Sequence, residues 1–167
     1  MIKTIEISSL ELLVLDFDGV LTNNYVYIDQ SGNESVRCSR ADGLAFDALK
    51  KLPLSAYILS SELNPVVTQR AQKLGVPVLQ GCKDKWTKIK ELSKELNIST
   101  RKMLYVGNDL NDYEAMINCG YSACPSDSHP KIKRISQITL NSNGGNGVMR
   151  ELLEETMGLD LISLLYN

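Results

Sequence analysis

The chain has 167 residues, 43% of them hydrophobic and 23% charged, enough for one domain with an ordinary core. A formal net charge of −2 excludes the basic footprint of a nucleic-acid binder. No apolar run approaches the ~20 residues of a membrane span, and the charges in Met1-Ile2-Lys3-Thr4-Ile5-Glu6 break up any signal-peptide core, so a cytoplasmic protein is expected.

Strands and helices alternate along the chain. Leu12 to Asp16 reads as a fully buried strand, followed by Asp16-Phe17-Asp18-Gly19-Val20-Leu21-Thr22. Segments 25–29 and 34–38 flank Gln30-Ser31-Gly32-Asn33 as a hairpin. Asp42 is placed to cap a helix running to about Leu52, with Leu44, Ala45, Ala48, Leu49 and Leu52 on one face. A second buried strand covers 55–59. Asn64-Pro65 then starts a helix that Gly75 stops. A short strand at 76–79 precedes a helix over 84–96, with Trp86, Ile89, Leu92 and Leu96 inward. A strand at 103–106, a helix at 110–119, strands at 121–124 and 137–140, the run Gly144-Gly145-Asn146-Gly147 and a helix at 148–157 complete the pattern. The tail, rich in Leu159, Leu161, Ile162, Leu164 and Leu165, is apolar enough to dock on its own domain or on a neighbour.

This alternation predicts an α/β fold: a doubly wound, mostly parallel, Rossmann-like sheet in one domain over 1–167, with a β-hairpin insertion at about 24–38 and no cap domain. Cys38, Cys82, Cys119 and Cys124 form no Cys-x-x-Cys pair, and His129 is the only histidine. A zinc cluster is therefore not expected, and His129 before Pro130 reads as a loop-positioning residue. Carboxylates, a lysine, hydroxyls and a metal are left to carry any chemistry.

Such groups recur at one edge. Asp16 and Asp18, Ser60, and the cluster Gly107-Asn108-Asp109-Leu110-Asn111-Asp112 follow the ends of predicted strands, and Lys85 opens the next helix at the same edge. Residues i and i+2 on a strand face the same way, so Asp16 and Asp18 bring two like charges together. The set suits phosphoryl transfer through an aspartyl-phosphate. Carboxylate and phosphate repel each other, and Mg²⁺ would supply the positive charge between them. Asp16 is the expected nucleophile, and Asp18 the acid and then the base. Ser60 would donate to a phosphate oxygen, and Lys85 would neutralise the phosphate. Asp16, Asp18, Asn108, Asp109 and Asp112 are the candidate metal residues.

These residues resemble the four motifs of the haloacid dehalogenase superfamily, in order and across nearly the whole chain. Within it the chain is similar to the capless branch that hydrolyses 3-deoxy-octulosonate 8-phosphate and related sugar-acid phosphates. That branch resemblance rests on Asp16 to Thr22, Asp42-Gly43, Gln80-Gly81 before Lys85, Gly107 to Asp112, Ser128-His129-Pro130 and the Gly144 to Glu151 stretch. It implies a Mg²⁺-dependent phosphatase acting on a small-molecule sugar-acid phosphate, and a homotetramer in which one subunit's hairpin leans over its neighbour's site. The apolar hairpin residues Tyr25, Val26, Tyr27 and Ile28 agree with that, though packing on the chain's own domain is an alternative.

Three departures bear on substrate and metal. Where the octulosonate branch usually has Thr-Gly-Arg, this chain has Ser60-Ser61-Glu62. With Lys73 on the following helix, Glu62 resembles the acidic residue of relatives that act on nonulosonate 9-phosphates. Glu62, Lys73, Asp42 and Ser61 are thus candidate substrate residues. Lys73 reads equally as a solvated helix lysine, Glu62 as a charge near a helix start and Asp42 as a cap. The usual Gly-Asp-Asp is Gly107-Asn108-Asp109, which predicts weaker Mg²⁺ binding, with Asp109 substituting as ligand and Asp112 behind it. Asn146 stands where Arg is frequent, and Arg150 and Glu151 read as an exposed helix start. Two other readings remain open: a non-catalytic oligomerising module associated with a sialic-acid cytidylyltransferase pathway, and a response-regulator receiver. A receiver needs its aspartate after the third strand.

Overall fold

The computed structural model describes residues 4–167, so positions 1–3 of the expected 1–167 domain lie outside the described residues. Six strands form one parallel sheet: β1 (Leu12–Leu15), β4 (Ser55–Leu59), β5 (Val78–Leu79), β6 (Met103–Val106), β7 (Tyr121–Cys124) and β8 (Ile138–Thr139). Their order is β5-β4-β1-β6-β7-β8. The chain winds outward from β1 through β4 to β5, then returns to the other side of β1 for β6. The winding therefore reverses between β1 and β6, where a doubly wound sheet opens a crevice at its carboxyl edge.

Burial on both faces explains why β1 is uninterrupted Leu-Leu-Val-Leu. Leu13 and Leu15 point into one core with α1 (Arg40–Leu49), α2 (Val66–Leu74), α6 (Val148–Glu151) and α7 (Leu161–Tyr166). Leu12 and Val14 point into the other, with α3 (Lys85–Leu96), α4 (Tyr113–Asn118) and α5 (Pro130–Ile135). After α6 the chain continues as a π-helix over Leu152–Thr156. The tail docks on its own domain: Leu161 is buried, Leu159, Leu164 and Leu165 pack on the first core, and α7 lies against α1. No helix among the described residues is long and apolar enough to cross a membrane.

Several boundaries differ from expectation. The hairpin pairs only β2 (Tyr27–Ile28) with β3 (Glu34–Ser35), because exposure on both faces leaves nothing to extend the ladder. The helix expected over 110–119 begins as a 3₁₀ turn at Leu110–Asp112. Helix α5 occupies a stretch where the sequence pattern predicts no element. It starts at Pro130, and His129 is its cap, with Nδ1 accepting from Lys131 N–H at 3.2 Å.

Asp42 requires a correction. Ser39 caps α1, its side chain accepting from Ala41 N–H, while Asp42 lies buried in the first turn. Its Oδ1 accepts from Met149 N–H at 2.8 Å, at the start of α6. It therefore ties the starts of α1 and α6 together, with its Oδ1 taken by a backbone donor of its own chain. Burial pushes its pKa up from 3.8 to about 6, against the opposing pull of N–H donors at Met149, Arg150 and Gly147 and of the Arg70 charge. Glu151, expected to be exposed, is buried and accepts from Asn141 N–H at 2.6 Å and Ser142 N–H at 2.7 Å.

Because the folded state holds the Asp42 proton more tightly than the unfolded chain, this group's contribution to stability falls as pH rises from 3.8 through about 6. Asp42→Asn keeps an acceptor without the buried charge, so its stability relative to wild type should rise over that interval. Asp42→Ala should lose about 1–3 kcal/mol at the acid end, from the unpaired N–H groups it leaves, and the loss should shrink over the same interval. Urea unfolding between pH 4 and 8 reads both.

Candidate active site

Strand β1 delivers Asp16 to the crevice, and the turn after it delivers Asp18. Asp16 is buried, and its Oδ1 accepts from Phe17 N–H at 2.7 Å and faces Lys85 Nζ at 2.8 Å. The chain then turns through Gly19 at φ +78°, where a Cβ would lie 1.9 Å from Asn108 Nδ2. Only glycine permits both that backbone and the approach of Asn108. Thr22 is buried inside the turn: its Oγ1 accepts from Gly19 N–H at 3.1 Å and Asn24 N–H at 3.2 Å, and donates to Asp18 Oδ1 at 3.4 Å.

Lys85 is the first residue of α3, after the cap Asp84. It is buried, with Nζ 2.8 Å from Asp16 and 2.7 Å from Asp112. Burial alone would lower its pKa, but the two carboxylates carry it above the ordinary lysine value. Tyr105, on β6, is buried and donates its O–H to Asp112 Oδ1 at 2.8 Å. Burial and the Asp112 charge raise the phenol's pKa well above 10.0, so it remains a donor. The other oxygen of Asp112 accepts from Asn108 N–H at 2.8 Å and Asp109 N–H at 3.2 Å.

Asp112 is thereby corrected from metal candidate to scaffold: both oxygens are already occupied from within the chain. Asp109 faces outward. It is exposed, and its Oδ1 accepts from Leu110 N–H at 2.7 Å at the start of the 3₁₀ turn. Asn108 is the member of the cluster that lies inside, buried, with Oδ1 lacking a hydrogen-bond partner. Sequence reasoning missed Tyr105 and Thr22. An apolar strand conceals Tyr105, and Thr22 has the character of an ordinary turn residue.

Ser60 follows β4 and is buried. Its Oγ accepts from Glu62 N–H at 3.1 Å, leaving the hydroxyl proton to donate elsewhere. Ser61 is exposed and accepts from Asn111 Nδ2 at 3.4 Å, linking the loops after β4 and β6. Glu62 folds back, with Oε1 accepting from Leu63 N–H at 2.6 Å and Asn64 N–H at 2.9 Å. With Asp18, Glu34 and Asn64 it lines a cavity of about 220 Å³ beneath the hairpin. Lys73 is not brought there. It is exposed in the last turn of α2 and faces the groove toward Arg40 and Asp47 of α1.

Among the described residues, no three His, Cys, Asp or Glu side chains are placed to hold a metal ion by themselves. The donors present nevertheless fit a hard cation that keeps water and substrate oxygens. Asp16 and Asp112 share one ammonium, and burial, together with the resulting negative excess, pushes Asp16 above the ordinary carboxylate range. The unpartnered Asn108 oxygen lies at the same end of β1 and β6, and magnesium is held by one or two carboxylates plus such neutral oxygens. Burial and the Glu62 charge also raise the Asp18 pKa, which favours a proton there.

A family model for haloacid dehalogenase-like hydrolases matches residues 55–152. The chain belongs to that family. It is 28% identical over 148 residues to the 3-deoxy-D-manno-octulosonate 8-phosphate phosphatase of Yersinia pestis, covering 88% of this chain and 79% of that one. A solved structure described as a haloacid dehalogenase family hydrolase, from Streptomyces avermitilis, superposes with a TM-score of 0.91 at 37% identity, covering 95% of this chain and 91% of the other. The 3-deoxy-D-manno-octulosonate 8-phosphate phosphatase of Moraxella catarrhalis, solved with magnesium, phosphate and the sugar acid, gives 0.88 at 26% identity, covering 96% and 95%.

Removing the Tyr105 hydroxyl leaves Asp112 short of one charge-assisted bond. Tyr105→Phe should cost about 1.5–3 kcal/mol. Lys85→Met leaves two buried carboxylates unpaired and should cost about 3–5 kcal/mol. Chemical denaturation near neutral pH measures both.

Proposed function

We propose that this hydrolase is a Mg²⁺-dependent phosphatase of a sugar-acid phosphate monoester, a nonulosonate 9-phosphate or a 3-deoxy-octulosonate 8-phosphate. The single observation behind this reading is the buried Asp16–Lys85–Asp112 bridge beside Asp18, Ser60 and the unpartnered Asn108 oxygen. The phosphatases of known sugar specificity among its relatives support the substrate class.

The reaction follows from these positions. An Asp16 oxygen attacks phosphorus as the bond to the sugar oxygen breaks, and the Asp18 carboxylic acid gives its proton to that oxygen to release the alcohol. The ionised Asp18 then takes a proton from water, whose oxygen attacks the aspartyl-phosphate and frees inorganic phosphate, restoring Asp16. Ser60 donates to a phosphate oxygen, and Lys85 holds Asp16 in its attacking rotamer. Bound Mg²⁺, held by Asp16, Asp18 and Asn108, would supply the positive charge that lets carboxylate and phosphate approach. Glu62, which lines the cavity with Asp18, would contact sugar hydroxyls, with the exposed Ser61 next to it in the chain. The single chain gives Lys73 no place in this assignment.

A homotetramer fits the exposure of the hairpin, where Tyr25 is 70% and Ile28 65% exposed. Tetramers would bury these side chains and close the open side of the cavity. The non-catalytic module and the receiver gain nothing from the structure. Asp16 and Asp18 both stand intact at the crevice, which speaks against the non-catalytic module, and the receiver's third-strand aspartate has no counterpart.

Phosphate release in Mg²⁺ from the eight- and nine-carbon esters tests the reading. Turnover of one or both is expected; release from neither overturns it. Asp16→Asn should abolish release while the fold persists. Asn108→Asp should raise Mg²⁺ affinity, read by calorimetric titration, because it replaces a neutral oxygen with a charged one. Sedimentation equilibrium checks the tetramer, and a monomer at all concentrations would remove it.

A further inference from the structure

The turn that carries Asp18 is gripped from outside by a segment the reaction does not use. Gly144 and Gly145 lie between β8 and α6, and Gly145 N–H donates to Val20 carbonyl at 2.9 Å. A Cβ on Gly144 would lie 2.3 Å from the Gly19 carbonyl oxygen and 2.8 Å from that of Thr22. On Gly145, at φ +66°, it would lie 2.5 Å from Thr22 carbonyl carbon and 2.6 Å from Asn23 nitrogen. Every one of these obstacles is backbone, so no side chain can swing aside. The glycine pair is in flat contact with the main chain of residues 19–23, while the Asn108 side chain presses on Gly19.

This platform is itself held by carboxylates from separate elements. Asp127 accepts from Gly144 N–H at 2.9 Å. Glu151 accepts from Asn141 and Ser142 N–H, and Asp42 from Met149 N–H just beyond Gly147. Three anions thus fix a backbone segment that lies directly on the Asp18 turn. From inside, that turn has Thr22 and the Phe17 carbonyl, which accepts from Leu21 N–H at 2.9 Å and Thr22 N–H at 3.2 Å.

We propose that Gly144 and Gly145 are positioning residues for Asp18: they form a side-chain-free platform that sets the turn and so the distance from the Asp18 carboxyl to the leaving oxygen. The inference rests on the proposed role of Asp18 as the acid. Misplacement of a catalytic group by about 1 Å costs on the order of 10²-fold in rate. It costs most where the leaving group needs a proton. A sugar or simple alkyl alkoxide needs one, whereas nitrophenolate is stable as an anion and leaves without it.

The test is the pre-steady-state burst of leaving-group release in Mg²⁺ from a primary-alkyl phosphate and from p-nitrophenyl phosphate, with wild type, Asp18→Asn, Gly144→Ala and Asp127→Ala. In Gly144→Ala the alkyl burst should slow by about 10²-fold while the nitrophenol burst and both KM values stay close to wild type. Asp127 is exposed, so Asp127→Ala keeps the fold and should show the same split at smaller size, even were Gly144→Ala to fold poorly. Equal slowing of both bursts, or no slowing in either variant, overturns the platform. Asp18→Asn separates the two levels. A split there without one in the glycine and Asp127 variants defeats the platform alone, and no split in Asp18→Asn defeats the acid assignment beneath it.

Discussion

One buried ammonium between two buried carboxylates organises this molecule. Lys85 reaches Asp16 and Asp112 at hydrogen-bond distance with almost no exposure on any of the three groups. Removing such charges from water costs several kcal/mol per ion, so the arrangement survives only where each remaining lone pair finds a donor. The chain supplies those donors from four directions: Phe17 N–H, the Tyr105 hydroxyl, and the N–H groups of Asn108 and Asp109. The loop after β6 takes its shape from Asp112, and Asp16 takes its rotamer from Lys85. The bridge leaves a deficit of positive charge at the floor of the crevice, which is why a divalent cation belongs there.

The topology makes this bridge available. β1 lies between β4 and β6, so the loops after these three strands converge, and α3 starts at the same edge. That much was readable from residue order, because Asp16, Ser60 and Asn108 each follow an apolar run that reads as a buried strand, and Lys85 opens the helix after β5. Asp16 and Lys85 are in contact, and Asp18 and Ser60 follow the ends of the paired strands β1 and β4 at the same edge. The fourth motif was harder to read. Its acids differ not in type but in which partners claim them, and that depends on Tyr105, a residue indistinguishable from core until its hydroxyl is seen on Asp112. Asn108, the neutral member, ends up inside while Asp109 caps a turn in solvent.

Long-range packing decides several placements elsewhere. Lys73 and Glu62 are separated by a helix of known length, but the face on which Lys73 falls is set by how α2 packs on α1, a tertiary fact. Asp42 was legible as a helix-start residue, yet Ser39 takes that role and Asp42 turns inward to a helix more than a hundred positions later in the chain. Glu151 resembles a surface charge until its two backbone donors are found. In each case a charged group near a helix terminus had several chemically reasonable partners, and long-range packing chose among them. The cavity beneath the hairpin collects Asp18, Glu34 and Glu62, so a substrate entering there meets acceptors suited to hydroxyl groups.

The central place of β1 has a consequence for how the chain is made. It precedes the other strands of its sheet in the chain and is apolar on both faces, yet its partners β4 and β6 are encoded roughly forty and ninety positions downstream. During synthesis, Leu12 to Leu15 emerge with both hydrogen-bonding edges open, the first until β4 arrives and the second until β6 follows. Folding is thus committed late, after an interval in which a sticky segment is available to other nascent chains and to chaperones that recognise extended leucine-rich stretches.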